Sequence, residues 1–197
     1  MAEASDDAVL HGALGSELFG LQAIAASTIS EAGTRSTIYL STLSSGLVAL
    51  GFAGNSPALL VTLVFTVLPT VFMLGWFTVV RLVDTSVENI TVRHRMARIR
   101  EYFASMHPRG PELIPRDDPH TGELGVRYAR TSFLFTMASM IAAVNSVLGG
   151  ALVALLLLFG IGAPTLLSQL VGVIVGLVLL ASTLSYERRR IRTANAA

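Results

Sequence analysis

Cysteine and lysine are both missing from this chain of 197 residues, and charge of either sign is scarce at 14%. Without cysteine there is no disulfide and no thiolate metal site. Without lysine all fourteen basic residues are arginine, a side chain that keeps its charge at any working pH. The charges are also unevenly placed. From Ser36 to Val80 and again from Thr131 to Tyr186 no Asp, Glu, Lys or Arg occurs. A soluble domain carries about a quarter charged residues, and a charge at mid-bilayer costs roughly 2.5–3.5 kcal/mol. Two long uncharged stretches, with 52% hydrophobic residues and a mean hydropathy of +0.65, therefore exclude an ordinary soluble domain. They predict an integral membrane protein. The N-terminus lacks the basic and apolar regions of a signal peptide and is acidic through Glu3, Asp6 and Asp7, so the first membrane segment is expected to remain.

A membrane-crossing helix needs about 20 apolar residues. Each uncharged stretch suits two crossings joined by a tight turn, at Gly54-Asn55-Ser56-Pro57 and at Gly160-Ile161-Gly162-Ala163-Pro164. The predicted spans are 36–54, 57–81, 132–159 and 164–186. The expected fold is all-α: a polytopic membrane protein with four transmembrane helices in two hairpins. The expected division is an amphipathic helix at 1–35, hairpins at 36–81 and 132–186, a cytoplasmic helix and Pro-rich loop at 82–131, and a basic tail at 187–197. Arginine sets the orientation. Arg35, nine arginines from Arg81 to Arg130, and Arg188, Arg189, Arg190 and Arg192 all flank one side, and the two turns carry none. By the positive-inside rule both termini are expected to be cytoplasmic. Tyr39, Trp76, Tyr128 and Tyr186 are expected as aromatic anchors at the cytoplasmic interface.

Residues 5–31 read as a helix capped by Ser5, with Asp6 and Asp7 in its first turn. Leu10, Leu14, Leu18, Leu21, Ala25 and Ile29 form its apolar stripe. Gly12, Gly15 and Gly20 weaken it, so it should depend on docking against protein. Residues 82–103 are expected to prolong span 2 into the cytoplasm. Their stripe runs through Val83, Val87 and Ile90, slips in phase near 91, and resumes at Val92, Met96, Ile99 and Phe103. Arg93, Arg95, Arg98 and Arg100 concentrate positive charge there. Pro108, Pro111, Pro115 and Pro119 exclude helix from 104–125.

Small residues recur every four positions in three spans: Thr37, Ser41, Ser45, Ala49 and Ala53; Ala138, Ala142, Ser146, Gly150 and Ala154; Ser168, Gly172 and Gly176. Helices in lipid associate by close packing that such residues permit. The faces either satisfy one another in a bundle, or one of them meets a second copy in a homo-oligomer. Span 2 is bulkier, faces lipid on one side, and should kink at Pro69.

Chemistry is sparse. The spans hold no ionisable residue, and their only carboxamides are Asn145 and Gln169, each expected as a helix–helix hydrogen bond more than a ligand contact. Asp117, Asp118, His120 and Glu123 lack metal-ligand spacing and read as a solvated loop. His94 and His107 have no catalytic partner at a useful spacing. No triad, phosphate loop or zinc signature occurs, so no catalytic residue, cofactor or metal is expected and the protein is read as no enzyme. The basic run at 93–100 has three readings: fixing orientation, contacting anionic membrane lipids, or docking an acidic partner, including the chain's own helix with Asp6, Asp7 and Glu17. Nucleic acid is not an expected partner, because the central segment nets only +2.

The segments SEAGTRSTIYLSTLSSGLVALGF and RLVDTSVENITVRHRMARIREYF, with Tyr39-Leu40 and Arg98-Ile99-Arg100 in them, resemble four-span integral membrane proteins of actinobacteria that carry no assigned activity. The layout is more loosely similar to multi-span effectors of bacterial nucleotide-signalling defence systems. The resemblance implies the four-span fold and assigns no functional residue. Two functions stand in competition. One is a non-enzymatic module, a scaffold, sensor or effector, that acts through its cytoplasmic helices on a cytoplasmic protein partner. The other is an oligomeric channel or small-solute transporter lined by Asn145, Gln169, Ser139 and Thr136.

Overall fold

The computed structural model describes residues 2–114 and 136–196, with side chains from 7 to 114 and from 136 to 194. Five helices account for nearly all of them: α1 (Ala2–Ala53), α2 (Pro57–Ser105), α3 (Gly110–Leu113), α4 (Met137–Leu155) and α5 (Thr165–Ala196). A π-helical turn, Leu156–Gly160, prolongs α4. Among the described residues there is no strand. Four of these helices are long and apolar enough to cross a membrane, which marks the chain as a membrane protein.

Helix α1 is a single helix of 52 residues. The expected separate helix over 5–31 and the first span are one element, and the helix already runs from Ala2, so Ser5 lies inside it and does not cap it. No proline stands between residues 2 and 53, and the glycines there cost only about 1 kcal/mol each, which tertiary contact can outweigh. Helix α2 continues from the membrane to Ser105, as the pattern over 82–103 predicts. It runs through Pro69 without ending, which a membrane helix tolerates when neighbours pack around the freed carbonyl.

These two helices pack antiparallel along their whole length. Contacts step evenly from Gly46 on Val67, through Tyr39 beside Gly75 and Glu31 beside Arg81, to His11 beside Tyr102. The buried or half-buried face of α2 is Val64, Leu68, Val71, Gly75, Thr78, Leu82, Thr85, Asn89, Val92, Met96, Ile99 and Phe103. That spacing alternates four and three without interruption, the seven-residue repeat of a coiled-coil seam. The phase slip expected near 91 is therefore absent. It arises only if Thr85 and Asn89 are skipped for being polar. On α1 the inward set is Leu14, Leu18, Leu21, Ala25, Thr28 and Ala32. Leu10 and Ile29, expected in the stripe, point outward, at 45% and 58% exposure.

Helices α4 and α5 pack backbone to backbone. A Cβ built on Gly150 would stand 2.5 Å from the Gly172 carbonyl oxygen, and one on Gly172 would stand 2.6 Å from that of Gly150. Ala138, Ala142, Ser146 and Gly150 are buried on one helix and Ser168 and Gly172 on the other. Two of the three small-residue faces thus satisfy each other. The third does not join them: Thr37, Ser41, Ser45 and Ala49 are exposed, and only Ala53 is buried. Helix α2 touches α1, α4 and α5, and so sits at the centre, with Leu59, Met73 and Phe77 on its exposed side.

Two further expectations need correction. The stretch from 104 is not uniformly non-helical, because α2 ends only at Ser105 and α3 forms one turn with Pro111 in its first positions. Proline is tolerated there, where its missing N–H has no acceptor to lose. Likewise 187–196 is no separate tail but the end of α5. The acidic group at Asp117, Asp118, His120 and Glu123, the anchor Tyr128 and the beginning of the third span lie outside the described residues.

Candidate functional site

The carboxamides and the basic run, the residues expected to carry function, fall in three different places. Asn145 is buried at 3% exposure where α4 meets α1 and α2. Its Oδ1 accepts a hydrogen bond from the Tyr39 hydroxyl at 3.3 Å. Tyr39 is fully buried at 0% exposure, so it is no interfacial anchor. Trp76 and Tyr186, by contrast, are exposed. The junction closes on Gly75, where an added Cβ would lie 2.1 Å from Asn145 Oδ1 and 2.7 Å from the Tyr39 ring. Only a residue without a side chain lets α1, α2 and α4 converge around this bond. On its other side Asn145, with Ser146, Thr183, Phe72, Trp76 and Leu179, borders a cavity of about 10 Å³, room for about one water.

Gln169 is exposed at the edge of the α4–α5 contact, three residues before the buried Gly172, and makes no hydrogen bond among the described residues. It is not bonded to Asn145. Ser139 and Thr136 lie elsewhere, at the start of α4. The four residues expected to line a pore are not gathered around one cavity.

The start of α4 holds a group that sequence reasoning missed. Glu187 is fully buried at 0% exposure and its Oε1 accepts from the Thr136 hydroxyl. Thr136 is the N-cap of α4, its Oγ1 accepting from the Ser139 amide at 3.2 Å. The carboxylate therefore stands at the positive end of the α4 macrodipole, a favourable place for negative charge. Its Oε2 has no hydrogen-bond partner among the described residues. Glu187 was read as part of a basic tail, yet it continues the inward face of Gly172, Gly176 and Thr183, one turn beyond Thr183. Following that face past the last apolar residue is the signal that finds it.

Beyond the apolar spans, the extensions of α1 and α2 form a two-helix stalk. Leu21, Val92 and Met96 are its buried centre, with Leu18, Ala25 and Ile99 packed around them. Asn89 Nδ2 donates to Thr28 Oγ1 at 2.9 Å and to the Ala25 carbonyl at 3.4 Å. A polar residue at a seam position fixes the alignment of two helices at some cost in stability. At the far end the His11 ring lies against Tyr102 and Phe103, with centroids 6.0 and 6.4 Å away. At the membrane end Glu31 receives Arg35 at 2.9 Å and Arg81 at 3.0 Å. The bonds from Arg81 and then Arg35 hold the Glu31 carboxyl below its ordinary range. Arg190 of α5 donates to Asp84 at 2.7 Å, tying the end of α5 to the base of the stalk.

The basic run lies on the stalk's outer surface. Arg93, Arg95 and Arg98 are exposed, while Arg100 is half-buried. Arg93 donates to Asn89 Oδ1 at 2.8 Å, and so braces the residue that aligns the seam. The described contacts between the two stalk helices are apolar, aromatic and amide–hydroxyl, with the Glu31–Arg81 pair at one end; the Asp6 side chain lies outside the described residues. Glu17 faces outward. His94 is exposed, and His107 Nδ1 accepts from the Arg109 amide within its own turn. Among the described residues no three His, Asp or Glu side chains gather as metal ligands. No protein-family model, no curated protein and no solved structure matches the chain.

Proposed function

We propose that the protein is a bacterial plasma-membrane module that acts without catalysis, by interaction, through a rigid cytoplasmic stalk. In this reading the spans pair as two hairpins, both termini and residues 82–131 are cytoplasmic, and the stalk receives a protein partner or the anionic membrane surface. One observation carries the proposal. Helices α1 and α2 pass unbroken from the membrane into the stalk, zipped by Leu21, Val92 and Met96, and leave Arg93, Arg95 and Arg98 on its open surface. At 1.5 Å per residue, the stalk part of α2 from Leu82 to Ser105 reaches roughly 36 Å. That is long enough to present a surface well beyond the headgroups, and scaffold, sensor and effector roles all use such a feature.

The competing channel reading finds less support, since Asn145 is engaged by Tyr39 and Gln169 does not share its cavity. The deciding experiment replaces Arg93, Arg95, Arg98 and Arg100 together by alanine. Membrane insertion is expected to be unchanged, because Arg81, Arg109 and the α5 arginines still set orientation. Binding to anionic vesicles, or recovery of a cytoplasmic protein on the purified chain, is expected to fall. Unchanged binding in both assays would remove the proposal's basis, and conductance in liposomes would favour the channel.

A further inference from the structure

We propose that the protein is a dimer in the membrane, in which Gln169 of α5 is hydrogen-bonded to Gln169 of a second copy. Centring a hydrocarbon core of about 30 Å on residues 164–186 puts Gln169 about 6 Å inside it. Lipid tails offer a carboxamide neither donor nor acceptor there. A serine or threonine exposed at the same depth can satisfy itself by donating to the carbonyl four residues earlier. Ser182 does this at Val178, and Thr62, Thr66 and Thr70 do it along α2. A helical glutamine has no equivalent carbonyl free, and Gln169 makes no hydrogen bond within the chain's described part.

Among the described residues no group is bonded to it. The inner side of α5 is closed on α4 at Gly172 and Gly150, and Gln169, three residues before Gly172, lies exposed at the edge of that contact. A carboxamide is both donor and acceptor, which makes it self-complementary across a two-fold axis, where a residue meets its own copy. Leu166 and Val173, three before and four after it, lie on the same face and are 71% and 61% exposed. They supply the apolar border that such a contact requires. Membrane lipid remains the neighbour of the rest of the α5 surface.

The absence of cysteine makes the test direct. Leu166→Cys and Val173→Cys, each with Gln169 intact, are oxidised in native membranes and examined for cross-linked dimer. Val178→Cys is the control, 59% exposed but half a turn from Gln169 around the helix. Cross-linking is expected at 166 and 173 and not at 178. Adding Gln169→Leu to Val173→Cys should weaken dimerisation about 3- to 20-fold, the range that membrane hydrogen bonds show. Gln169→Asn should restore part of the loss. Equal cross-linking at 173 and 178, a Gln169→Leu variant as dimeric as the parent, or a parent chain that is monomeric at every protein-to-detergent ratio would each overturn the proposal. If Gln169→Leu fails to insert, the contrast between 173 and 178 still decides it.

Discussion

Tyr39 and Asn145, 106 positions apart, share a hydrogen bond inside the membrane region where neither touches lipid. The bond joins the first spanning helix to the third, two helices with few other contacts. Tyr39→Phe should therefore lower stability by about 0.6–1.7 kcal/mol, as intramembrane hydrogen bonds do. Gly75→Ala should cost more, about 1–3 kcal/mol of overpacking, because its Cβ would overlap both partners. Thermal unfolding in detergent checks the order. A Gly75→Ala chain as stable as its parent would contradict the close approach.

The contact between Gly150 and Gly172 predicts a different failure. Gly150→Ala places a methyl against backbone that cannot rotate away, so α4 and α5 must separate. A loss of about 1–3 kcal/mol is expected, together with faster hydrogen exchange in both helices. The Tyr39 junction should stay intact, since it lies on the other side of α4. Exchange confined to α1 and α2 would count against this.

Asn89 predicts an effect on alignment more than on stability. Asn89→Leu should leave the stalk as stable or slightly more so, because a seam Asn trades stability for alignment. Its cost is a looser fit. Paired cysteines at 21 and 92 should cross-link cleanly in the parent, and with Asn89→Leu the cysteine at 21 should also react with one at 96. If the Leu variant retains the single product, Asn89 does not set the alignment.

Glu31 gives the pH dependence. Its folded pKa is lowered by Arg81 and Arg35, so its contribution is present above the ordinary value of 4.5 and is lost as pH falls through the lowered one. Hydrogen exchange around residues 28–35 should therefore rise on acidification below about pH 4.5. Glu31→Gln should remove that rise by exchanging faster already at neutral pH. Because the pair is exposed, salt should mimic the substitution. A parent whose exchange is indifferent to pH and salt would dispose of the pair's role.

The topology rests on arginine and invites a labelling test. Single cysteines at 55 and 162 should react with an impermeant reagent from outside, and those at 117 and 195 only after permeabilisation. Reaction of 55 or 162 from inside alone would reverse the orientation and take the cytoplasmic stalk with it.

The long apolar runs made the four crossing helices legible, because the absence of charge over 36–80 and 131–186 has no other ready cause. The small-residue contact of α4 with α5 was legible for the same reason, as a pattern that only close packing explains. What escaped was polar and inward. Thr28, Thr85 and Asn89 occupy seam positions, so a stripe defined by apolar residues alone broke at them and produced a false slip. Tyr39 and Glu187 stand near the ends of apolar runs, where aromatic and charged residues normally face headgroups or water. Only the direction of the side chain distinguishes a buried bond from an anchor, and direction depends on which neighbour arrives. For Gln169 the reverse holds: composition suggested a partner helix, and the fold leaves the residue exposed and bonded to none of the described residues.

Helix α2 spans roughly 74 Å at 1.5 Å per residue as one unbroken element through Pro69, and α1 packs along it. Such a rod behaves as a lever whose pivot is the bilayer. A tilt of about 10°, within the range by which spanning helices adjust to membrane thickness, would sweep the far end near Ser105 by roughly 6 Å. Thinning or stretching of the membrane is thereby converted into lateral travel at the tip, with no rearrangement inside the protein.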